Sequence, residues 1–536
     1  GINCLYFLAI SHLRLPSTRG VALHFRARPV YFHDLNLDKV ISHIVDGREE
    51  YKLNQYFYNL NKNLEQIQYR QEIMKDFEEE KVYKTILSYS KCLADIRNTL
   101  DRIENLYYPL QQQRCYLELA LRYQKNLEDF LEGLKSVQVK SVGLKELINQ
   151  FIEILCTGTF VEFKNKTANL CESLKKIRYC VVIVENKVSV RHCEEDNYAG
   201  EVAKNLYLSD IPLDDDNIVG NQTVDLNHVE AQILEGVAQL YPEPFARLDS
   251  YCKQYMQTLV ASEVEYPSDS LRASRYPFMD HNILIWEREL QFYLAYLEYI
   301  APLKHLGLAF CIPNIDISNK QVRAEQTFDL ALATRLMEET GQKVVVNDLF
   351  LINDEQIFVI TGPNQGGKTT FARMFGQLHH LAGLGCPVPG LNTQLGFCDA
   401  IYTHFSYRED IRAGHGKLEE DLIRIHDSLK EATASSIFIM NELFDSTTYD
   451  DALYLSEQII RKLLAKKIVT VWVTFIDALT LISPQIVSLM SMVETEDLTR
   501  RTFRICRKPA DGLAYALSLA EKYGLTYNRL MEGIDE

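Results

Sequence analysis

Ile357-Phe-Val-Ile-Thr-Gly-Pro-Asn-Gln-Gly-Gly-Lys-Thr-Thr370 is the stretch that decides how this chain is read. Its apolar opening predicts a buried strand over Gln356–Ile360, and the residues after it fit G-x-x-x-x-G-K-[ST] through Gly362, Gly367, Lys368 and Thr369. Glycines let backbone N–H groups approach phosphate oxygens, and the helix expected over Thr369–Ala382 directs its positive end at the same place. Lys368 is then placed to reach β- and γ-phosphates, and the Thr369 hydroxyl to ligate Mg2+. Gly362, Pro363, Asn364, Gln365, Gly366, Gly367, Lys368, Thr369 and Thr370 are the candidate nucleotide-binding residues.

Around the loop, from Pro313 onward, strand and helix patterns alternate. Lys343–Val346, Ile437–Met440, Ile468–Thr474 and Thr502–Arg507 read as further strands, and Gly383 and Gly385 stop the helix after the loop. Residues 311–536 are therefore expected to form an α/β nucleotide-binding domain. Residues 1–310 read as mainly helical. Leu93, Ile96, Leu100, Ile103, Tyr107 and Leu110 form a packing seam, with a helix end expected near Pro109. A β-hairpin is expected over 179–191, an Asp-rich loop over Ser209–Asn217, and resumed helix from Asn227. Trp286, Leu290, Tyr293, Leu294 and Leu297 should bury a long helix, with Glu287, Arg288 and Glu289 limiting burial at one end.

The 57 Lys and Arg against 73 Asp and Glu leave a net charge of −16, which excludes a protein whose whole surface coats nucleic acid. The twelve cysteines form no C-x-x-C pair and no zinc-spaced cluster, and read as reduced thiols of a cytoplasmic protein. No stretch approaches the ~20 apolar residues of a membrane span. His379, His380 and His404 lack carboxylate or Cys neighbours at ligand spacing and read as core or helix-surface histidines.

The wording of the loop is similar to TGPNMGGKST of the MutS family of DNA mismatch repair ATPases, which are relatives of the ABC-type ATPases. Val346-Asn-Asp348 resembles the family's N-D turn beside the adenine pocket, which adds Asn347 to the nucleotide-binding set. Gly385-Cys-Pro-Val-Pro389, Ile401-Tyr-Thr403 and Ser446-Thr-Thr-Tyr-Asp450 match further family motifs in order, so the resemblance covers about residues 340 to 515. It implies a helical core and lever region followed by an ABC-like ATPase domain, ATP and Mg2+ as cofactors, and a homodimer through the ATPase domains.

Asn441-Glu442 stands where the family has Asp-Glu. The resemblance makes Glu442 the residue that polarises attacking water, and Asn441, with Thr369, the metal-side residue, now without its full charge. Val473-Thr-Phe475 replaces Ala-Thr-His, so a γ-phosphate-sensing imidazole is missing. Gly414-His-Gly-Lys417 either replaces the trans-acting G-x-S-T, with Lys417 as a substitute donor, or begins a plain amphipathic helix. These departures imply slow hydrolysis.

No mismatch-reading domain is expected. Phe77-Glu78-Glu79 matches the letters of the family's Phe-x-Glu wedge but lies in a charged helical stretch. Two basic groups, Lys175, Lys176 and Arg178, and Arg500, Arg501, Arg504, Arg507 and Lys508, could touch phosphates or be solvated faces. The expectation is an ATP-dependent protein on double-stranded DNA, in mismatch repair or a related transaction. The alternative is an ATP-gated interaction switch that does not bind DNA.

Overall fold

The computed structural model describes residues 27–184, 187–192, 226–256, 276–318, 321–406, 416–445, 447–493 and 501–510. The Asp-rich segment, Gly414, His415, Ser446 and Arg500 lie outside them. The described chain forms two compact units, one of residues 76–291 and one of residues 27–75 with 292 onward. None of the described helices is long and apolar enough to cross a membrane.

The 76–291 unit is built from helices Glu80–Ile103, Pro109–Lys135, Val142–Leu155, Gly158–Lys175, His228–Leu240 and Pro242–Tyr255, with the first part of His281–His305. Side-chain caps set several starts. Ser141 and Thr157 accept from the amides of Leu144 and Phe160, and Asn227 forms a reciprocal capping box with Glu230. Tyr89 stacks on Phe130 at 4.1 Å, with Phe151 and Trp286 alongside. β1 (Tyr179–Val184) and β2 (Lys187–His192) pair antiparallel as a hairpin, and helix resumes after Asn227.

Two readings of this half need correction. The seam ends at Ile103, and Tyr107 is exposed, because Pro109 starts the next helix instead of ending this one. Proline fits a first helical position, where its missing N–H has no partner to lose. Glu287 does not limit burial: it is 0 % exposed and pairs with the buried Arg97, whose Nη2 donates to Oε1 at 2.9 Å. A matching guanidinium across the helices offsets the desolvation that a lone carboxylate would suffer.

The other unit contains β3 (Phe310–Cys311), β4 (Asn314–Asp316), β5 (Arg323–Thr327), β6 (Asn347–Phe350), β7 (Ile357–Thr361), β8 (Val388–Pro389), β9 (Leu391–Gly396), β10 (Ile401–Phe405), β11 (Ile437–Asn441), β12 (Val469–Val473), β13 (Ile486–Val493) and β14 (Arg501–Arg507). Its main sheet runs β10-β11-β12-β7-β13-β14, parallel except for the antiparallel edge strand β14. β7, β11 and β12 are buried at every position, as expected for strands covered on both faces. A second sheet runs β4-β9-β5-β6, and β3 pairs with β8. The sequence strand at Lys343–Val346 is not formed; the chain becomes strand only at Asn347, where it pairs with β5. The fold class is thus an α-helical part joined to an α/β part with mixed sheets.

Helix Lys368–Gly383 covers one face of the main sheet, with Phe375 against Phe358 at 6.2 Å. Helix Tyr449–Lys466 buries Ile459, Ile460 and Leu463 in the cluster around Trp472 and Phe438. Residues 31–61 lie along helix Lys368–Gly383 and are tied to it at four levels. Arg373 Nε donates to Asp34 O at 2.9 Å, Gln377 Nε2 to Leu35 O at 2.9 Å, and Asn61 Nδ2 to Gly383 O at 2.9 Å. His380 Nε2 meets Phe57 O at 2.8 Å. These side chains give the backbone oxygens donors, and Gly383 O accepts the Asn61 amide as well, at 3.2 Å.

Candidate functional site

The glycine-rich loop leaves the carboxyl end of β7 between β12 and β13 and enters helix Lys368–Gly383. In open α/β sheets, ligands bind at such a crevice, beyond the carboxyl ends of the strands. Gly362 has φ +116°, and a Cβ there would stand 2.4 Å from Ser491 Oγ. Gly366 is held by space alone, with its would-be Cβ 2.6 Å from the same oxygen. Two glycines are therefore required by the strand beneath the loop as well as by any ligand above it.

Lys368 is nearly buried. Its Nζ donates to Gly362 O at 2.6 Å and Pro363 O at 3.0 Å, and reaches Asn364 Oδ1 at 3.4 Å. Thr369 Oγ1 donates to Asn441 Oδ1 at 3.0 Å, which joins the loop helix to the end of β11. Beyond Asn441, the Glu442 amide donates to Val473 O at 2.9 Å. Glu442 then turns through φ 54°, followed by Phe444 at φ 63°. Left-handed backbone costs a non-glycine residue about 1 kcal/mol or more. Here buried Leu443 and Phe444 hold the turn, and it leaves the Glu442 side chain facing the cleft.

The cleft has a volume of about 510 Å³, and its walls include Asn347, Gln365, Lys368, Thr369, Glu442 and Phe503. The structure thus brings the loop, both residues of the Asn441-Glu442 pair and Asn347 to one place. Asn347 is also structural: its Oδ1 accepts from the Ile505 amide at 2.8 Å and its Nδ2 donates to Phe503 O at 3.2 Å. Asp329, on the cleft wall, accepts from Gln377 Nε2 at 2.9 Å and the Leu332 amide at 3.1 Å. Burial holds its carboxyl above the usual range, opposed by the Gln377 donor.

Phe503 is a cleft residue that sequence reading missed. Its side chain is half exposed, and its φ of 56° breaks the alternation of β14 and turns the ring outward. No sequence signal marks a positive φ at a phenylalanine inside a strand. Phe475 lies elsewhere. It packs partly buried against the core cluster of Trp472 and Ile476 and is not among the cleft side chains.

His379 and His380 are core residues, bonded to Phe375 O at 2.9 Å and Phe57 O at 2.8 Å. Burial lowers each imidazole to about 4, so both are neutral near pH 7. No group of three or more His, Cys, Asp or Glu side chains placed to hold a metal ion occurs among the described residues. Three of the basic side chains singled out in the sequence are engaged. Arg507 pairs with Glu355 at 2.5 Å and lies 4.0 Å from the Phe350 ring, and Lys176 pairs with Glu172 at 2.7 Å. Arg178 Nη1 donates to Lys175 O at 2.8 Å. The side chains of Arg501 and Lys417 lie outside the described residues.

A strand, a glycine-rich loop and a helix at the carboxyl edge of a buried parallel sheet define an α/β domain with its cleft beyond the strand ends. Residues 358–531 match the family model described as MutS domain V. The DNA mismatch repair protein MutS of Syntrophomonas wolfei is 23% identical over 420 residues, covering 75% of this chain and 44% of that protein. The MutS proteins of Petrotoga mobilis and Brevibacillus brevis are 31% and 29% identical over 149 and 155 residues, which is 28% and 29% of this chain and 18% and 17% of theirs. Residues 358–531 are thus similar to the MutS domain V family. The chain spans less than half the length of these relatives.

Proposed function

We propose that the chain binds ATP with Mg2+ in the Lys368 cleft and hydrolyses it slowly, as a nucleotide-gated protein of mismatch repair or a related transaction on double-stranded DNA. The observation that carries this is the convergence of Lys368, Thr369, Asn441 and Glu442 at the carboxyl end of the parallel sheet. The donor set fits the cofactors. A loop with two positions closed to any side chain suits phosphate oxygens, and Thr369 Oγ1 and Asn441 Oδ1 are the hard oxygens that would hold Mg2+. Bound Mg2+ would neutralise phosphate charge.

Lys368 would exchange its loop carbonyls for phosphate oxygens, and the amides at the start of helix Lys368–Gly383 would bind the same anion. Phe503 offers a ring face to the base, and Glu442 is the carboxylate positioned to take a proton from attacking water. With Asn441 neutral and Phe475 in the core, metal-side charge and γ-phosphate sensing are both reduced, which favours slow turnover. Closure of two copies through their ATPase domains is the dimer this reading requires.

The test is ATP turnover with and without homoduplex and mismatched duplex, for wild type and Glu442→Gln. Slow turnover lost in Glu442→Gln, with nucleotide binding and ATP-dependent dimerisation retained, is the expected result. A monomer that binds no nucleotide refutes the reading. A net charge of −16, and basic side chains already committed to Glu355, Glu172 and backbone oxygens, favour the second reading of an ATP-gated switch that binds protein instead of DNA. A DNA titration across salt separates the two. Binding that weakens steeply with salt supports the first, and none at low salt supports the second.

A further inference from the structure

β14, the edge strand of the main sheet, carries a bulge where it passes the phosphate loop. Ser491 pairs with Ile505 and Val493 with Arg501, so Thr502, Phe503 and Arg504 stand opposite Met492 alone. Phe503, in the middle, has φ 56°, a backbone region disfavoured for a bulky aromatic residue. Two side chains hold the bulge. Thr502 Oγ1 donates to Met492 O at 2.8 Å, and Asn347, on β6, reaches β14 at two points. Its Nδ2 donates to Phe503 O at 3.2 Å, and its Oδ1 accepts from the Ile505 amide at 2.8 Å. One planar side-chain amide thus takes the role of a neighbouring strand's peptide, and it fixes the backbone that carries the Phe503 ring. That ring is half exposed and lines the cleft. The Phe503 backbone lies 3.6 Å from the point where a Cβ on Gly367 would stand, so the bulge packs directly beside the phosphate loop.

We propose that Asn347 is a positioning residue, which sets the Phe503 ring against the base of a bound nucleotide instead of gripping the nucleotide itself. The inference rests on the nucleotide-binding reading and deepens it. Stacking on a ring needs only a flat face, so Phe503 contributes to a ligand that carries a base and nothing to a bare polyphosphate. Without Asn347, Phe503 O and the Ile505 amide lose their partners, and the left-handed residue between two strand segments loses its restraint. The ring then no longer has a fixed place in the cleft. The loss falls on the base end of the ligand, because Lys368 and the loop amides serve the phosphate end.

Full-length wild type, Asn347→Ala, Phe503→Ala and the double variant are titrated with a non-hydrolysable ATP analogue and with inorganic tripolyphosphate, each with Mg2+. Asn347→Ala should weaken the ATP analogue about tenfold and leave tripolyphosphate unchanged. Phe503→Ala should do the same, and the double variant should be no weaker than Phe503→Ala. Asn347→Asp, which keeps an acceptor for the Ile505 amide and loses the donor to Phe503 O, carries the same test if Asn347→Ala does not fold. Equal weakening of both ligands, as from a merely structural role, overturns the proposal. So does a further loss in the double variant, which marks direct contact between Asn347 and the nucleotide. Wild type that binds the analogue beside an equally tight Asn347→Ala overturns this inference alone. Wild type that binds neither ligand overturns the underlying reading, and this inference with it.

Discussion

Replacing each of the two loop glycines by alanine, in the presence and absence of Ser491→Gly, separates space from backbone conformation. At Gly366 no positive φ is involved, and the added Cβ meets Ser491 Oγ at 2.6 Å and Ser491 Cβ at 2.9 Å, about 0.8 and 0.5 Å short of ordinary contact. Ser491 sits on β13, flanked by β7 and β14, so the loop has to move instead of the strand. Overpacking of this size costs about 1–3 kcal/mol, which corresponds to roughly 5- to 150-fold in nucleotide affinity if the loop takes the whole displacement. Ser491→Gly removes both clashing atoms and leaves Pro363 O at 3.1 Å as the nearest neighbour, so the double variant should bind as well as Ser491→Gly alone. Gly362→Ala differs. Its φ of +116° is outside the comfortable range of alanine, and Ser491 N remains 3.2 Å away after the side chain is gone. A backbone cost of about 1–3 kcal/mol therefore persists in the double variant. The assay is a fluorescent ATP-analogue titration, with urea unfolding to confirm that each variant is folded. Wild-type affinity in Gly366→Ala, or rescue of Gly362→Ala but not Gly366→Ala, would refute the reasoning.

Three other outcomes follow from the described contacts. Asn441→Asp places a charge beside Thr369 Oγ1 at an 8 % exposed position, and should lower the Mg2+ concentration for half-maximal ATP turnover by about tenfold. An unchanged Mg2+ dependence would count against Asn441 as a metal-side residue. Glu287→Ala removes the carboxylate balancing buried Arg97 and should cost about 3–5 kcal/mol in urea unfolding, with much of it recovered by Arg97→Met in the same chain. His379 and His380 are held neutral, each lowered from 6.5 to about 4, so the unfolded chain binds more protons between those values. The stability they contribute is whole above pH 6.5 and drains as pH falls toward 4, by about 3 kcal/mol each at most. His380→Gln should flatten the slope of melting temperature against pH in that window and leave it unchanged above pH 7.

The parts of the fold legible in sequence were those where one physical rule acts alone. β7, β11 and β12 are buried on both faces, so short runs of β-branched and large apolar residues suffice to find them. The loop was legible from its glycine spacing, and the strand beneath leaves two of those glycines no room for a side chain. β13 was missed because Ile486–Val493 mixes Ser and Met into the apolar run, although Ser483-Pro484 marks a turn just before it. Lys343–Val346 was read as strand because three valines carry β-propensity, but strand pairing begins at Asn347, whose side chain binds β14. Glu287 was misjudged because local pattern cannot show that a distant residue, Arg97, meets it, and Tyr107 because Pro109 opens a new helix beyond it. Of the site, the loop, Asn441, Glu442 and Asn347 were found from wording, whereas Phe503 and Ser491 owe their places to a backbone twist and a strand register that spacing does not encode.

The grip of residues 31–61 on helix Lys368–Gly383 also sets a schedule for the chain during its synthesis. Phe57 and His380 are 323 residues apart, and Phe32, Leu35 and Phe57 are fully buried in the finished protein. At ordinary translation rates those apolar side chains emerge roughly 15 to 65 s before the helix that covers them exists. The intervening 76–291 unit is completed in the meantime. Early exposure of this strap gives a reason for nascent-chain chaperones to hold it, and a reason for a separately expressed 311–536 fragment to be less soluble than one co-expressed with residues 27–75.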